Sequence, residues 1–196
     1  TRFDQEASLK GVSKWYGYID KPERVPEFMR RAYTMLRTGR LGPVVLAIPN
    51  AAATYDETVD PYVSPKGWKS LPDPADVKIA VDALGSAKKP VLFVGEGVLY
   101  ANATEELKTF AEKANLPVVT TLKAKGAFPE NHPLSVGVRG DHVVKYLNDS
   151  DLIFAVGASL SPGRFGHGVP EPTNKTIIQC NIDEFDVNRI YPTANA

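Results

Sequence analysis

The 196 residues carry 23 Lys+Arg against 23 Asp+Glu, 43% apolar residues and one Cys. This balance excludes a disordered chain and a disulfide framework within the chain, and it argues against nucleic acid as main partner, because phosphate binding draws on a Lys/Arg excess. The length fits one domain, or one domain plus a fragment of another, and a chain of this size buries about 70% of its unfolded surface without staples. No apolar run approaches the ~20 residues of a membrane span, no signal-peptide pattern is read at the start, and a cytoplasmic location with no membrane partner is expected. The chain opens on Thr1 in mid-pattern, as expected of a piece of something longer.

Residues 1–50 read as a tail, a helix and a strand. Asp20, Pro22 and Glu23 supply a start signal, and Val25, Phe28, Met29, Ala32 and Leu36 recur at helical spacing, with Gly39 as the stop. Pro43–Pro49 is a short β-branched apolar run, which favours a buried strand. One helix and one strand make no core, so this part needs cover from elsewhere. Residues 51–73 lose all periodicity and hold prolines at 61, 65, 72 and 74 just beyond, the pattern of a linker between domains.

From Asp73 helices and apolar runs alternate. Asp73 caps a helix striped by Val77, Ala80, Val81 and Leu84, and Asn102 with Glu105 caps another striped by Leu107, Phe110, Ala111 and Ala114. A third helix spans about 141–149. Strands are predicted at 90–94, 117–122, 134–136, 152–156 and 176–182. The pattern predicts an α/β fold: a doubly wound, mostly parallel Rossmann-like sheet of about six strands with helices on both faces, preceded by the helix–strand fragment of a neighbouring domain.

Ligands of such sheets bind beyond the carboxyl ends of the strands. The first strand of the series ends in Gly95-Glu96-Gly97, one residue away from a dinucleotide fingerprint, where glycines let a phosphate approach backbone N–H groups. The same glycines equally serve a tight turn. The acidic residue expected at the end of the second strand is replaced by Thr120 and Thr121. Gly157-Ala158-Ser159 and Asn181-Ile182-Asp183 suit a ribose or adenine, or turns and a helix cap. Arg139, Arg164, Lys123 and Lys125 could meet an anion or be solvated. His132, His142 and His167 stand at no metal-ligand spacing, His132 reads as structural, and Cys180 reads as an inert core thiol. On these residues alone, a freestanding module binding FAD, ADP or NAD stays open as an alternative.

Thr120, Thr121, Lys125, Gly126, Ala127, Phe128, Pro129, Glu130, His132, Pro133 and Gly137 carry a long specific match. They resemble the T-T-x-x-x-K-G-A-F-P-E-x-H-P-x-x-x-G stretch in the central domain of thiamine-diphosphate-dependent enzymes of the acetolactate synthase-like group. Ala87–Pro90, Ser150–Leu152 and Val156–Ala158 agree, and Gln5-Glu6, Lys14-Trp15 and Gly39–Pro49 are similar to the end of that family's pyrimidine-binding domain. The resemblance implies three parts: residues 1–50 from the pyrimidine-binding domain, a linker at 51–73, and the central nucleotide-binding-like domain at 74–196. It implies a parent that acts on 2-keto acids as carboligase, decarboxylase or acyltransferase with thiamine diphosphate and Mg²⁺, as a homodimer or homotetramer. No catalytic or metal residue is assigned within this chain, because the family's catalytic Glu and its G-D-G metal motif match nothing here, and the piece alone is expected to be inactive. FAD or ADP in the central domain is implied at Gly95, Gly97, Thr121, Leu122, Gly137, Gly140, Gly157, Ala158 and Asp183. Four positions depart from the family pattern: Glu96 stands inside the G-G-G loop, Ser159 replaces an Arg, Asn181 replaces the first Asp of I-D-I-D, and Asp4 replaces an aromatic.

Overall fold

The computed structural model describes residues 3–162 and 168–196, so Arg164 and His167 lie outside the described residues. The chain divides into two units, Thr1–Leu71 and Pro72–Ala196.

In the first unit, Asp4 accepts a hydrogen bond from the Ala7 N–H and starts α1 (Gln5–Lys10). Next come β1 (Trp15–Tyr18), α2 (Val25–Arg37) and β2 (Val44–Ala47), and the two strands pair in parallel from Trp15↔Val44 to Tyr18↔Ala47. The sequence reading expects α2 and β2 but takes α1 and β1 for a tail. β1 is only four residues long and carries Gly17 in its middle, which weakens its strand signal. That glycine leaves room for two aromatic rings. A Cβ there would lie 2.6 Å from the Trp15 ring and 2.8 Å from that of Phe28. On α2 only Pro26 and Ala32 are fully buried; Phe28 and Met29 are half-buried and Leu36 is exposed. Beyond Ala52, Tyr62 stacks on Tyr33 with centroids 6.0 Å apart, and Arg37 donates to the Ser64 hydroxyl (3.1 Å) and the Pro65 carbonyl (2.6 Å). The irregular segment is thereby pinned to α2.

The second unit contains α3 (Pro74–Ser86), β3 (Pro90–Val94), α4 (Gly97–Tyr100), α5 (Thr104–Ala114), β4 (Val118–Thr120), β5 (Ser135–Gly137), α6 (Asp141–Asp149), β6 (Leu152–Val156) and β7 (Thr176–Cys180). The sheet order is β5-β4-β3-β6-β7, all parallel. It has five strands rather than about six, one at each of the five apolar runs read from residue 90 onward. Its far edge is extended by a single parallel bridge, Ile178↔Asn195.

Strands buried on both faces read as continuous apolar runs, since alternate side chains face opposite layers. Val91, Phe93, Ile153 and Ile177 meet Val143 and Leu147 of α6 on one face. Leu92, Val94 and Val118 meet Leu107 and Ala111 of α5 on the other, with Ala124, Ala127 and Phe128 from the loop after β4. α3 meets Leu152 and Ile178 through Ala80, Ala83 and Leu84, with Ala87 just past its end. The predicted α3 stripe is therefore corrected: Val77 and Val81 are 43% and 54% exposed. The small alanines mark the contacting face, and the larger valines lie beside it. The predicted cap of α5 is also corrected. Asn102 adopts φ 54°, closing the turn of α4, and α5 starts after Ala103 with no side-chain cap. Cys180 is exposed at the end of β7 and is not a core thiol.

Three polar clamps hold the frame. His132 accepts the Leu134 N–H at Nδ1 (3.1 Å), which places its proton on Nε2 facing Glu112 (3.1 Å). At the amino ends of the strands, Asp151 accepts the N–H groups of Lys88 (2.7 Å) and Lys89 (2.9 Å), joining β6 to the start of β3. Buried Gln179 donates to the Asp186 carbonyl and accepts from the Asn188 N–H and the Thr193 hydroxyl, tethering the segment that leads to Asn195.

Replacing Gln179 with Leu should cost about 2–3 kcal/mol in urea unfolding, because it leaves these groups without partners beside a buried strand. Burial works against the Asp151 charge, but the two N–H groups prevail and hold its carboxyl below the usual range. Its folded pKa is depressed, so its stabilisation is fully present above the unfolded value of about 3.9 and is lost as pH falls through the folded one. Asp151→Asn should flatten the acid limb of stability against pH while changing its shape near neutrality little.

Candidate functional site

β3 has β4 on one side and β6 on the other, so the chain leaves its carboxyl end in one direction and returns from the opposite one. Such a switch point opens a crevice between the two strand ends in a doubly wound sheet. Here two glycine turns meet in it. Gly95 donates to the Val156 carbonyl (2.9 Å) and Gly97 to the Gly157 carbonyl (3.0 Å). A Cβ on Gly95 would overlap the Gly157 carbonyl oxygen and lie 2.5 Å from the Ala158 Cα. A Cβ on Gly97 would lie 2.7 Å from the Gly157 Cα, and Gly157 itself has φ +59°. The glycines permit backbone-to-backbone contact between the two turns.

Neighbouring groups brace this contact. Thr121 donates to the Val94 carbonyl (2.8 Å). Asn181 donates to the Ala158 carbonyl (3.3 Å) and accepts the Asp183 N–H (3.0 Å), while the Asp183 carboxylate caps the following turn at Phe185 N–H (3.1 Å). Glu96, between the two glycines, forms an ion pair with Lys123 from the turn after β4, 3.3 Å away.

Six of the nine expected cofactor residues thus gather at or beside the switch point: Gly95, Gly97, Thr121, Gly157, Ala158 and Asp183. The other three lie toward β5. Leu122 and Gly137 line a cavity of about 650 Å³ with Lys125, Glu130, Arg139 and His142, and Lys125 pairs with Glu130 at 3.0 Å. Gly140 stands next to this cavity, where a Cβ would lie 2.8 Å from the His142 ring. Sequence reasoning did not find the Glu96–Lys123 pair, the Asn181 brace or the place of His142. The signal for the first was present in Glu96 inside a glycine turn, but only the turn after β4 brings Lys123 to it. No group of three metal-ligating side chains occurs among the described residues.

Gly95→Ala should destabilise the second unit by about 3 kcal/mol or more, since backbone atoms cannot yield as a flexible side chain would. Chemical denaturation followed by circular dichroism would measure it.

Residues 77–196 match the family described as thiamine pyrophosphate enzyme, central domain. The chain is 37% identical over 198 residues to the acetolactate synthase large subunit of Corynebacterium glutamicum, covering 95% of this chain and 32% of that protein. It is 31% identical over 204 residues to the acetolactate synthase large subunit of Haemophilus influenzae, covering 97% of this chain and 36% of that one. A solved structure from Mycobacterium smegmatis, of a protein assigned as a thiamin diphosphate-dependent enzyme, superposes with a TM-score of 0.62 at 28% identity, over 85% of this chain and 33% of its own. The chain spans about a third of the length of the curated relatives it matches. With the same doubly wound sheet and a family match over most of its length, this chain belongs to the thiamine pyrophosphate enzyme central-domain family.

Proposed function

We propose that the chain is the central segment of a thiamine-diphosphate- and Mg²⁺-dependent enzyme of the acetolactate synthase kind, acting on a 2-keto acid as carboligase, decarboxylase or acyltransferase. The observation that carries this reading is the match to two acetolactate synthase large subunits over 95% and 97% of the chain, at about a third of their length. Residues 1–50 then belong to the pyrimidine-binding domain, 51–73 form the linker and 74–196 the central domain. The two-stranded parallel sheet of the first unit supports this division, because parallel strands are stable when both faces are covered and here β2 is only half-buried.

When bound, thiamine diphosphate supplies the carbanion chemistry. The described residues hold no three-ligand cluster to fit Mg²⁺, so no cofactor step is assigned to this chain. Its proposed work is to space and join the domains that clamp the cofactor, in a homodimer or homotetramer located in the cytoplasm. Among the described residues, no helix is long and apolar enough to cross a membrane.

The test is an assay of CO₂ release and C–C bond formation from pyruvate and other 2-keto acids, with thiamine diphosphate and Mg²⁺ present. The full-length parent should turn over at least one of them and the 196-residue chain none. Turnover by the chain alone, or a parent inert toward every 2-keto acid, would overturn the reading.

A further inference from the structure

We infer that Glu96 is a specificity-determining residue that closes the switch-point crevice to the diphosphate of FAD or ADP. A diphosphate at this place needs free backbone N–H groups, a helix N-terminus facing it and no competing negative charge. The crevice meets these needs poorly, and the last not at all. The Gly95 and Gly97 N–H groups are spent on the Val156 and Gly157 carbonyls at 2.9 and 3.0 Å. α4 is a single turn of four residues, so its dipole is small. Glu96 places a carboxylate within the glycine turn itself.

The direction of that side chain matters as much as its charge. It meets Lys123 at 3.3 Å, so the pair links the turn after β3 to the turn after β4, the strand whose end meets the ribose in dinucleotide-binding sheets. The ion pair contributes little on its own, because Lys123 is 76% exposed and Glu96 35% exposed. If Lys123 swings away, the carboxylate remains, fixed to a turn that the glycine contact holds rigid, and it repels a diphosphate. Two further gaps agree. The end of β4 carries Thr120 and Thr121 where an acid would bind ribose hydroxyls, and Ser159, not a cation, follows Ala158.

The test is calorimetric titration of the 196-residue chain with FAD and with ADP, alongside Glu96→Gly, Glu96→Ala and Lys123→Ala. Glu96 has φ −60° and ψ −20°, an ordinary helical conformation that Gly and Ala both adopt, and unfolding curves would confirm that the variants fold. The wild type should bind neither ligand at micromolar concentration. Removal of the carboxylate by either substitution should raise affinity about tenfold or more, and Lys123→Ala, which leaves the carboxylate, should raise it for neither ligand. Micromolar binding by the wild type would overturn the inference. So would a gain with Lys123→Ala in place of the Glu96 variants, or no gain with any of them. Turnover of 2-keto acids by the parent is read separately and is unaffected by any of these outcomes.

Discussion

Contact between two backbones, with no side chain between them, sets the carboxyl edge of the larger sheet. The turn after β3 and the turn after β6 approach so closely that Gly95, Gly97 and Gly157 admit no Cβ. β3 and β6 are the central neighbours in the order β5-β4-β3-β6-β7, so fixing their ends fixes the middle of the sheet. The flanking groups work from there: Thr121 ties β4 to β3, and Asn181 ties β7 to the Ala158 turn. The opposite edge is held by Asp151, whose carboxylate receives two N–H groups at the entrance to β3. A parallel sheet with both edges of its centre pinned and both faces packed has little freedom left in register.

That rigidity bears on function. A nucleotide crevice needs donors in reserve, and this crevice has spent its glycine N–H groups on its own chain. The stiffness of this edge comes from the chain's own backbone contacts.

The first unit follows a different logic. β1 and β2 form a two-stranded parallel pair, α2 covers it with half-buried side chains, and Tyr18, Leu36, Leu41 and Ile48 remain exposed. Two parallel strands cannot bury enough apolar surface to be a domain core. The irregular segment beyond Ala52 contributes through Tyr62 and the Arg37 bonds, which shows how chain without secondary structure can still be anchored by one stacked ring and one guanidinium.

Period and punctuation in the sequence determined the elements of the larger unit. Pro90–Val94, Asp141–Asp149 and Leu152–Val156 were legible to the residue, because continuous apolar runs between breakers and a strong helical stripe depend only on local chemistry. The motif from Thr120 to Gly137 likewise identified the family, since it is a long run of specific residues. Tertiary structure decided what depends on distant partners. It chose Ala80 over Val77 as the buried side of α3, and it gave Trp15–Tyr18 a partner 29 residues away at Val44. It also put a partner opposite the glycine turn. In sequence Gly95-Glu96-Gly97 serves a phosphate or a tight turn equally well, because nothing local says what stands opposite. Gly157 and Lys123 stand opposite, and both are placed there only by the order of the strands.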